Sequence, residues 1–266
     1  MIIFPNAKIN LGLKVVNRRH DGFHNIETIF YPVNIKDALE IVEAEDLSFT
    51  SSGIHIPGHS ESNLCLKAWH QLAKDFRLPN VHIHLHKQIP VGAGLGGGSA
   101  DAAFCLRLLN EKFGLKLNQE EMERYASQLG SDCAFFIRNQ PVKASGKGDV
   151  FTDLHLDLDK YYIVLVMPPV HVSTADAYSG VVPSENGSLP DLTGIPPENW
   201  QNILYNDFEA PVFRMFPQIA KVKEALYRSG ALYASLSGSG ASVYALFSKE
   251  VKLPELEKDN LVFYGI

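Results

Sequence analysis

The chain has 266 residues, of which 45% are hydrophobic and 20% are charged, a composition that is ordinary for a globular protein with a buried core and that excludes a disordered chain. Its net charge of -6 argues against nucleic acid as a partner, because that affinity depends on Lys and Arg side chains that neutralise phosphates. No run approaches the roughly 18 apolar residues of a membrane span, and the N-terminus lacks a secretory signal pattern, so we expect no membrane partner and a cytoplasmic protein.

The first part of the chain has the pattern of two strands joined by a polar turn. Polar and apolar residues alternate from Lys8 to Val15, which predicts a half-buried strand with Lys8 and Asn10 on its polar face. Turn-forming residues follow from 17 to 22, and a second extended run covers 23–33. We therefore expect a hairpin with a polar tip.

A further strand, a glycine-rich segment and a group of helices come next. Residues 81–86 alternate with a period of two and carry His82, His84 and His86 on one face. A metal site is one interpretation of this trio, but an exposed strand face explains it better. The spacing predicts a helix over 99–113, a second helix capped by Asn118 and Glu121, and a third that opens near Asp132.

The last third of the chain begins with an apolar strand over 161–166, followed by a loop rich in Pro, Gly and Ser over 182–197. We predict a helix over 217–229 and strands over 231–236 and 243–247. The domain boundary is placed near residue 153, so that 1–153 forms an N-terminal ATP-binding and catalytic domain and 154–266 a C-terminal domain. The cysteines are odd in number and lie in apolar surroundings, which predicts reduced, structural thiols at Cys65, Cys105 and Cys133.

The strongest chemical signal is the glycine run that follows the strand and opens into a helix. Glycines let backbone N–H groups approach phosphate oxygens, with the positive end of a helix dipole behind them. A flexible turn is the plain alternative. A P-loop is excluded because no lysine follows the glycines, and a dinucleotide fingerprint is excluded because a helix start stands where its acidic residue belongs.

Three segments resemble the GHMP kinase family. Residues 90–99 fit its loop of the form Pro-x-x-x-Gly-Leu-Gly-Ser/Gly-Ser/Gly-Ser, residues 5–11 are similar to its first motif, and residues 237–242 are similar to its third. The resemblance implies an α+β, two-domain fold, with an N-terminal domain like the second domain of ribosomal protein S5 and a ferredoxin-like C-terminal domain. It also implies ATP as the phosphoryl donor, with Mg²⁺ carried on its phosphates. The implied ATP-binding residues are Pro90, Val91, Gly92, Ala93, Gly94, Leu95, Gly96, Gly97, Gly98 and Ser99.

Within that family, the hairpin sequence Arg18-Arg19-His20-Asp21-Gly22-Phe23-His24 resembles members that act on a cytidine-diphosphate-linked polyol. The resemblance implies that Phe23 packs against the cytosine and that His24 hydrogen-bonds it. Tyr178 is a candidate second wall for the base, although a core tyrosine is the alternative. Asn10 is placed near the polyol, with a strand-edge hydrogen bonder as the alternative, and Ser237 and Gly238 are further candidate substrate-binding residues.

The resemblance also assigns the catalytic pair, with Asp132 as the base and Lys8 as a cation that stabilises negative charge on the reacting oxygens. A lysine keeps a nearby carboxylate ionised at neutral pH, so we expect Lys8 and Asp132 to meet in space. Taken alone, Lys8 would be a solvated lysine and Asp132 a helix N-cap. Ser99 has two interpretations, a phosphate or ion contact and a plain N-cap.

The expected activity is therefore transfer of the γ-phosphoryl group of ATP to a hydroxyl of a cytidine-diphosphate-linked polyol. Another GHMP kinase, acting on homoserine, mevalonate or a sugar, would share the glycine loop but has no reason to carry the hairpin. A non-catalytic nucleotide-binding protein on the same fold would tolerate loss of Lys8 or Asp132, and both are present. We expect a monomer or a weak homodimer.

Overall fold

The computed structural model describes residues 1–185 and 188–266. The chain divides into two compact units, each assembled from segments that are far apart in sequence. The first unit comprises Met1–Ala7, Ile35–Val91 and Gly96–Gln140, and the second comprises Lys8–Asn34, Gly92–Leu95 and Pro141–Ile266. The glycine loop contributes to both units, and a division of the chain at residue 153 stays a prediction.

In the described part of the chain the strands are β1 (Ile2–Ile3), β2 (Asn6–Arg18), β3 (His24–Lys36), β4 (Ala38–Glu43), β5 (Ser48–Gly53), β6 (Val81–Lys87), β7 (Val142–Ser145), β8 (Val150–Asp153), β9 (Tyr162–Met167), β10 (Tyr233–Leu236), β11 (Val243–Phe247) and β12 (Leu261–Tyr264). The helices are α1 (Leu64–Leu72), α2 (Gly97–Lys112), α3 (Gln119–Ser127), α4 (Cys133–Arg138), α5 (Thr174–Ser179), α6 (Glu209–Met215), α7 (Pro217–Arg228) and α8 (Pro254–Glu257). Short 3₁₀ turns cover Ser60–Ser62 and Pro197–Asn202.

The first unit contains a four-stranded sheet of order β1-β4-β6-β5, in which β5 and β6 are parallel and the other pairs are antiparallel. The predicted strand over 81–86 is confirmed as β6, with Val81, Ile83 and Leu85 buried. Helices α1 to α4 belong to the same unit. Helix α2 is buried around most of its circumference, because α1 and α4 both pack on it and small side chains such as Ala102 allow close approach.

The second unit contains two further sheets, of order β2-β3-β7-β8 and β10-β11-β9-β12. The expectation of a half-buried β2 is wrong, because Lys8 and Asn10 on its polar face are only 3% and 2% exposed. A Cβ atom at Gly12 on the same face would stand 2.4 Å from a methyl carbon of Leu204, so other parts of the second unit cover that face. The core includes Val164 and Ala245 from the β10-β11-β9-β12 sheet and Leu226 from α7.

Several local predictions are confirmed at or near their predicted bounds. Asn118 and Glu121 form a reciprocal capping box at the start of α3, and α7 covers the helix predicted over 217–229. The three cysteines are free and buried. Part of the loop predicted over 182–197 lies outside the described residues. Within the residues described, none of the helices has both the length and the apolar character that a membrane crossing requires.

Candidate active site

The glycine loop has the backbone geometry of an anion-binding turn. Gly92, Gly94 and Gly96 have φ values of 68°, 77° and 70°, a region that glycine enters at little cost. Helix α2 begins at Gly97 with Gly96 at the N-cap position, two residues earlier than predicted. The first N–H groups of a helix lack intrahelical acceptors and carry the positive end of the dipole, so this loop and helix start can receive phosphate oxygens.

Three of the predicted motifs converge on the carbonyl oxygen of Gly94. It accepts hydrogen bonds from Ser237 Oγ at 2.9 Å and from Lys8 Nζ at 3.4 Å. The backbone N–H of Lys8 donates to the carbonyl of Leu95 at 3.0 Å. A Cβ atom at Gly94 would stand 2.0 Å from the carbonyl oxygen of Ser237, so only glycine fits there. The structure therefore brings Lys8, the loop and Ser237 together within the second unit.

A chain of buried hydrogen bonds sets the position of the Lys8 ammonium. Lys8 Nζ donates to Asn10 Oδ1 at 2.6 Å, Asn10 Nδ2 donates to Thr28 Oγ1 at 3.0 Å, and Thr28 Oγ1 donates to the carbonyl of Gly12 at 2.6 Å. The ammonium also lies 4.9 Å from the centroid of the Phe30 ring. A buried cation is costly unless it is hydrogen-bonded, and these contacts hold it in one place.

Asn206 supports the turn that carries Ser237 and Gly238. Its Nδ2 donates to the carbonyl oxygens of Leu236 and Gly238, both at 2.9 Å, and its Oδ1 accepts from the N–H of Phe208 at 2.9 Å. Asn206 is 3% exposed. The sequence alone does not single out Asn206, because an asparagine in a loop has no pattern that separates a buried support from an exposed turn.

The hairpin places His24 against Tyr178. Their rings stack with centroids 4.5 Å apart and planes at 15°, and Tyr178 meets Phe208 edge to face at 4.8 Å. Burial, together with the nearby Arg18 charge, lowers the pKa of His24 below its ordinary value of 6.5. The imidazole is therefore neutral at pH 7, with one nitrogen to donate and one to accept.

Phe23, the residue before His24, is 55% exposed. The Lys147 ammonium lies 5.2 Å from the centroid of its ring. Arg19 and Asp21 are paired in the same hairpin, with Arg19 Nη2 3.0 Å from Asp21 Oδ2, and Arg19 also donates to Asn25 Oδ1 at 2.9 Å. These bonds order the tip that presents Phe23, and the role of Phe23 in base binding stays a prediction.

In the first unit, Asp132 precedes α4 with φ −86° and ψ −9° and is half-buried. Asp132 is the N-cap residue of α4, as the plain interpretation expects, but within residues 132–138 no capping hydrogen bond from the first turn of the helix reaches its side chain. Lys8 belongs to the second unit, and its expected approach to Asp132 stays a prediction.

Ser99 lies inside the first turn of α2, where Gly96 is the N-cap residue, so the N-cap interpretation of Ser99 is wrong. Its hydroxyl interacts with the thiol of Cys133, the first residue of α4, and a Cβ atom at Gly130 would lie 3.8 Å from the Ser99 oxygen. Burial raises the pKa of the Cys133 thiol to about 12, so this cysteine is not a nucleophile at neutral pH. Ser99 thus lies beside the turn that carries Asp132.

The histidine trio forms a ladder with the hydroxyls of β5. At distances of 2.8–3.0 Å, the Ser48 hydroxyl contacts His82, that of Thr50 contacts His82 and His84, and that of Ser52 contacts His84 and His86. Over residues 1–185 and 188–266, no group of His, Cys, Asp or Glu side chains is arranged to hold a metal ion. Hydroxyls of β5 therefore contact both ring nitrogens of His82 and His84 and Nδ1 of His86.

Comparison with known proteins shows similarity to one family of kinases over most of the chain. The family model for the GHMP kinases N terminal domain matches residues 63–140, and that for the GHMP kinases C terminal region matches residues 195–259. Two relatives are both named 4-diphosphocytidyl-2-C-methyl-D-erythritol kinase. The one from Azobacteroides pseudotrichonymphae is 53% identical over 94% of each chain, and the one from Bacteroides fragilis is 51% identical over 97% of this chain and 96% of its own.

Solved structures agree with these matches. The crystal structure of a 4-(cytidine 5'-diphospho)-2C-methyl-D-erythritol kinase superposes with a TM-score of 0.84 at 28% identity and covers 100% of this chain and 98% of its own. A mevalonate kinase structure at 14% identity, with a TM-score of 0.74 over 99% of this chain and 98% of its own, shares the fold. Because the two relatives are 53% and 51% identical over nearly the whole chain and both family models match, the chain belongs to the GHMP kinase family.

Proposed function

We propose that this chain transfers the γ-phosphoryl group of ATP to the 2-hydroxyl of 4-diphosphocytidyl-2-C-methyl-D-erythritol and releases ADP, a step of the non-mevalonate route to isoprenoid precursors. The observation that carries the proposal is the identity of 53% over 94% of the chain to a relative named for this substrate. The His24–Tyr178 pair supports it, because a flat heteroaromatic base can stack on such a ring and hydrogen-bond a neutral imidazole.

Lys8 and Asp132 are proposed to carry out the transfer. Asp132 accepts the proton of the acceptor hydroxyl while that oxygen forms a bond to the γ-phosphorus, and the bond to the ADP oxygen breaks. Lys8, fixed by Asn10 and by the Gly94 carbonyl, stabilises the negative charge on the reacting oxygens. Asn10 is proposed to orient the polyol.

The loop from Pro90 to Ser99 is proposed to bind the ATP phosphates through backbone N–H groups. Gly92, Gly94 and Gly96, which have positive φ values, and the first N–H groups of α2 fit an anion, because backbone groups alone can contact the phosphate oxygens there. Mg²⁺ bound to the phosphates would neutralise part of their charge, and the Ser99 hydroxyl is proposed to contact either a phosphate or this ion. Ser237 supports this loop through Gly94, and Gly238 follows it in the same turn.

We propose a small molecule bearing cytidine diphosphate as the binding partner, and a monomer or weak homodimer as the working form. The test is ADP release with Mg-ATP and a panel of 4-diphosphocytidyl-2-C-methyl-D-erythritol, homoserine and mevalonate. Turnover with the cytidine compound alone is expected. Turnover confined to another acceptor would support a kinase but reject the proposed substrate. ATP binding without turnover would favour a non-catalytic nucleotide-binding protein.

A further inference from the structure

Three charged side chains are buried together in the first unit, outside the residues assigned to the reaction. Lys87 donates through Nζ to Asp37 Oδ2 and, at 2.7 Å, to Asp101 Oδ2. The side chains of Asp37, Lys87 and Asp101 are 0%, 2% and 4% exposed. Burying charges costs several kcal/mol per ion, and an apolar set of the same volume is often at least as stable. Stability alone therefore does not explain this cluster.

The cluster joins both ends of the glycine loop. Lys87 is the last residue of β6, which leads into the loop, and Asp101 lies near the start of α2, which leaves it. Asp37 Oδ1 also accepts from the backbone N–H groups of Gln88 and Ile89 at 2.6 and 2.8 Å. Asp37 and Asp101 thus fix Lys87 at the end of β6 and helix α2 after the loop. Asp37 also fixes the two residues that follow Lys87.

Gly97, the first residue of α2, shows how closely the two ends are held. A Cβ atom there would stand 2.9 Å from Lys87 Nζ and 2.8 Å from Ile89 Cγ2, so a side chain would push the helix start away from the strand. Gly97 has no positive φ, unlike Gly96 beside it. Glycine is required at position 97 because the helix approaches Lys87 closely there, and not because of the backbone conformation.

We propose that Asp37, Lys87 and Asp101 form a positioning cluster that sets the spacing of the two ends of the glycine loop and thereby its affinity for the phosphates of ATP. The proposal rests on the proposed function, in which this loop binds ATP. The three side chains act through the backbone of the loop. Sites that depend on oriented N–H groups lose affinity or rate when their support moves by about 1 Å.

Asp101 offers two substitutions that separate its hydrogen bond from its charge. Burial raises the pKa of Asp101, and the Lys87 charge opposes this shift. Asp101→Asn is neutral and nearly isosteric, and its amide oxygen can still accept from Lys87. Asp101→Leu keeps the branching at Cγ in a larger, apolar side chain, leaves the Lys87–Asp37 pair intact and breaks the link to α2.

The experiment measures KM for ATP, KM for the acceptor and kcat, and also the dissociation constant of Mg-ATP by calorimetry. We expect Asp101→Leu to raise KM and Kd for ATP roughly tenfold with KM for the acceptor within about twofold, and Asp101→Asn to restore both constants. Leu109→Ala, two turns further along α2 and fully buried, is the matched control: it destabilises the same helix and should leave both KM values unchanged.

A second variant covers the case in which Asp101→Leu does not fold. Lys87→Met combined with Asp101→Leu removes the cation and its helix partner together, and Asp37 keeps its two backbone donors. Unchanged ATP affinity in either folded variant, or equal rises in both KM values, would overturn the proposal. Because Mg-ATP affinity is measured directly, a wild-type chain that binds ATP but phosphorylates none of the acceptors overturns the proposed function and leaves this test valid.

Discussion

Ser237 donates through Oγ to the carbonyl oxygen of Gly94 at 2.9 Å, a contact between residues 143 positions apart in the chain. Lys8 Nζ reaches the same oxygen at 3.4 Å. The glycine loop is therefore held from the side by two other motifs, and its conformation depends on contacts that form only when the second unit folds. This arrangement makes the loop sensitive to small changes at Gly94.

Gly94→Ala is expected to distort the loop and to raise KM for ATP at least tenfold, because the new Cβ would stand 2.0 Å from the carbonyl oxygen of Ser237. Gly114→Ala is the control, since Gly114 also has a positive φ, at 60°, but has open space around it. Steady-state kinetics and thermal unfolding of both variants separate the two effects. An equal loss in the two variants would mean that backbone strain, and not the contact with Ser237, is responsible.

Asp132→Ala is expected to lower kcat by roughly 10²- to 10⁴-fold, the usual range for a lost general base, while Mg-ATP affinity changes little. Rapid-quench kinetics with calorimetry for ATP measure the two quantities separately. Asp46→Ala, at an exposed position in the same unit, serves as the control and should retain wild-type kcat. Wild-type turnover in the Asp132 variant would exclude this residue as the base.

His24→Ala is expected to raise KM for the cytidine substrate by an order of magnitude or more and to leave KM for ATP unchanged, as it removes a stacked, hydrogen-bonding ring. Asn17→Ala in the same hairpin is the control, because Asn17 is hydrogen-bonded to Asn25 and Glu185 and is not proposed to contact the substrate. Equal increases in KM for the two substrates would contradict a role of His24 in binding the cytosine.

The same imidazole predicts a pH dependence. The pKa of His24 is lowered in the folded protein, so the unfolded chain takes up this proton first as the pH falls through 6.5, and the stabilising effect of the neutral ring is lost toward lower pH. KM for the cytidine substrate should rise only below this lowered pKa. His24→Gln, which cannot titrate, should flatten that acid limb, and an acid limb identical to wild type would assign it to another group.

Asn206→Ala is expected to destabilise the protein by about 1–3 kcal/mol, because two buried carbonyls and one N–H lose their partner. Denaturant unfolding measures this loss. Asn202→Ala, exposed four residues earlier, is the control and should change stability by less than about 0.5 kcal/mol. A neutral Asn206 variant would show that water or a neighbouring donor replaces the side chain.

Local patterns account for most elements and for the three motifs. The period of two predicted β2 and β6, and turn and capping residues predicted the hairpin and α3. Such features depend on residues within a few positions of one another, so they can be found in sequence. The starts of helices were less accurate, since α2 begins at Gly97 without a side-chain cap to mark it.

The sequence by itself determined the family, the glycine loop, the hairpin and the identity of the candidate catalytic residues, because short motifs carry that chemistry. Only the tertiary structure decided that the polar face of β2 is buried, that Asn206 supports the Ser237 turn, and that Lys87 lies between Asp37 and Asp101. The physical reason is sequence distance. Lys87 and Asp37 are 50 positions apart, and whether a charge is solvated or paired depends on neighbours that the chain supplies only when it folds.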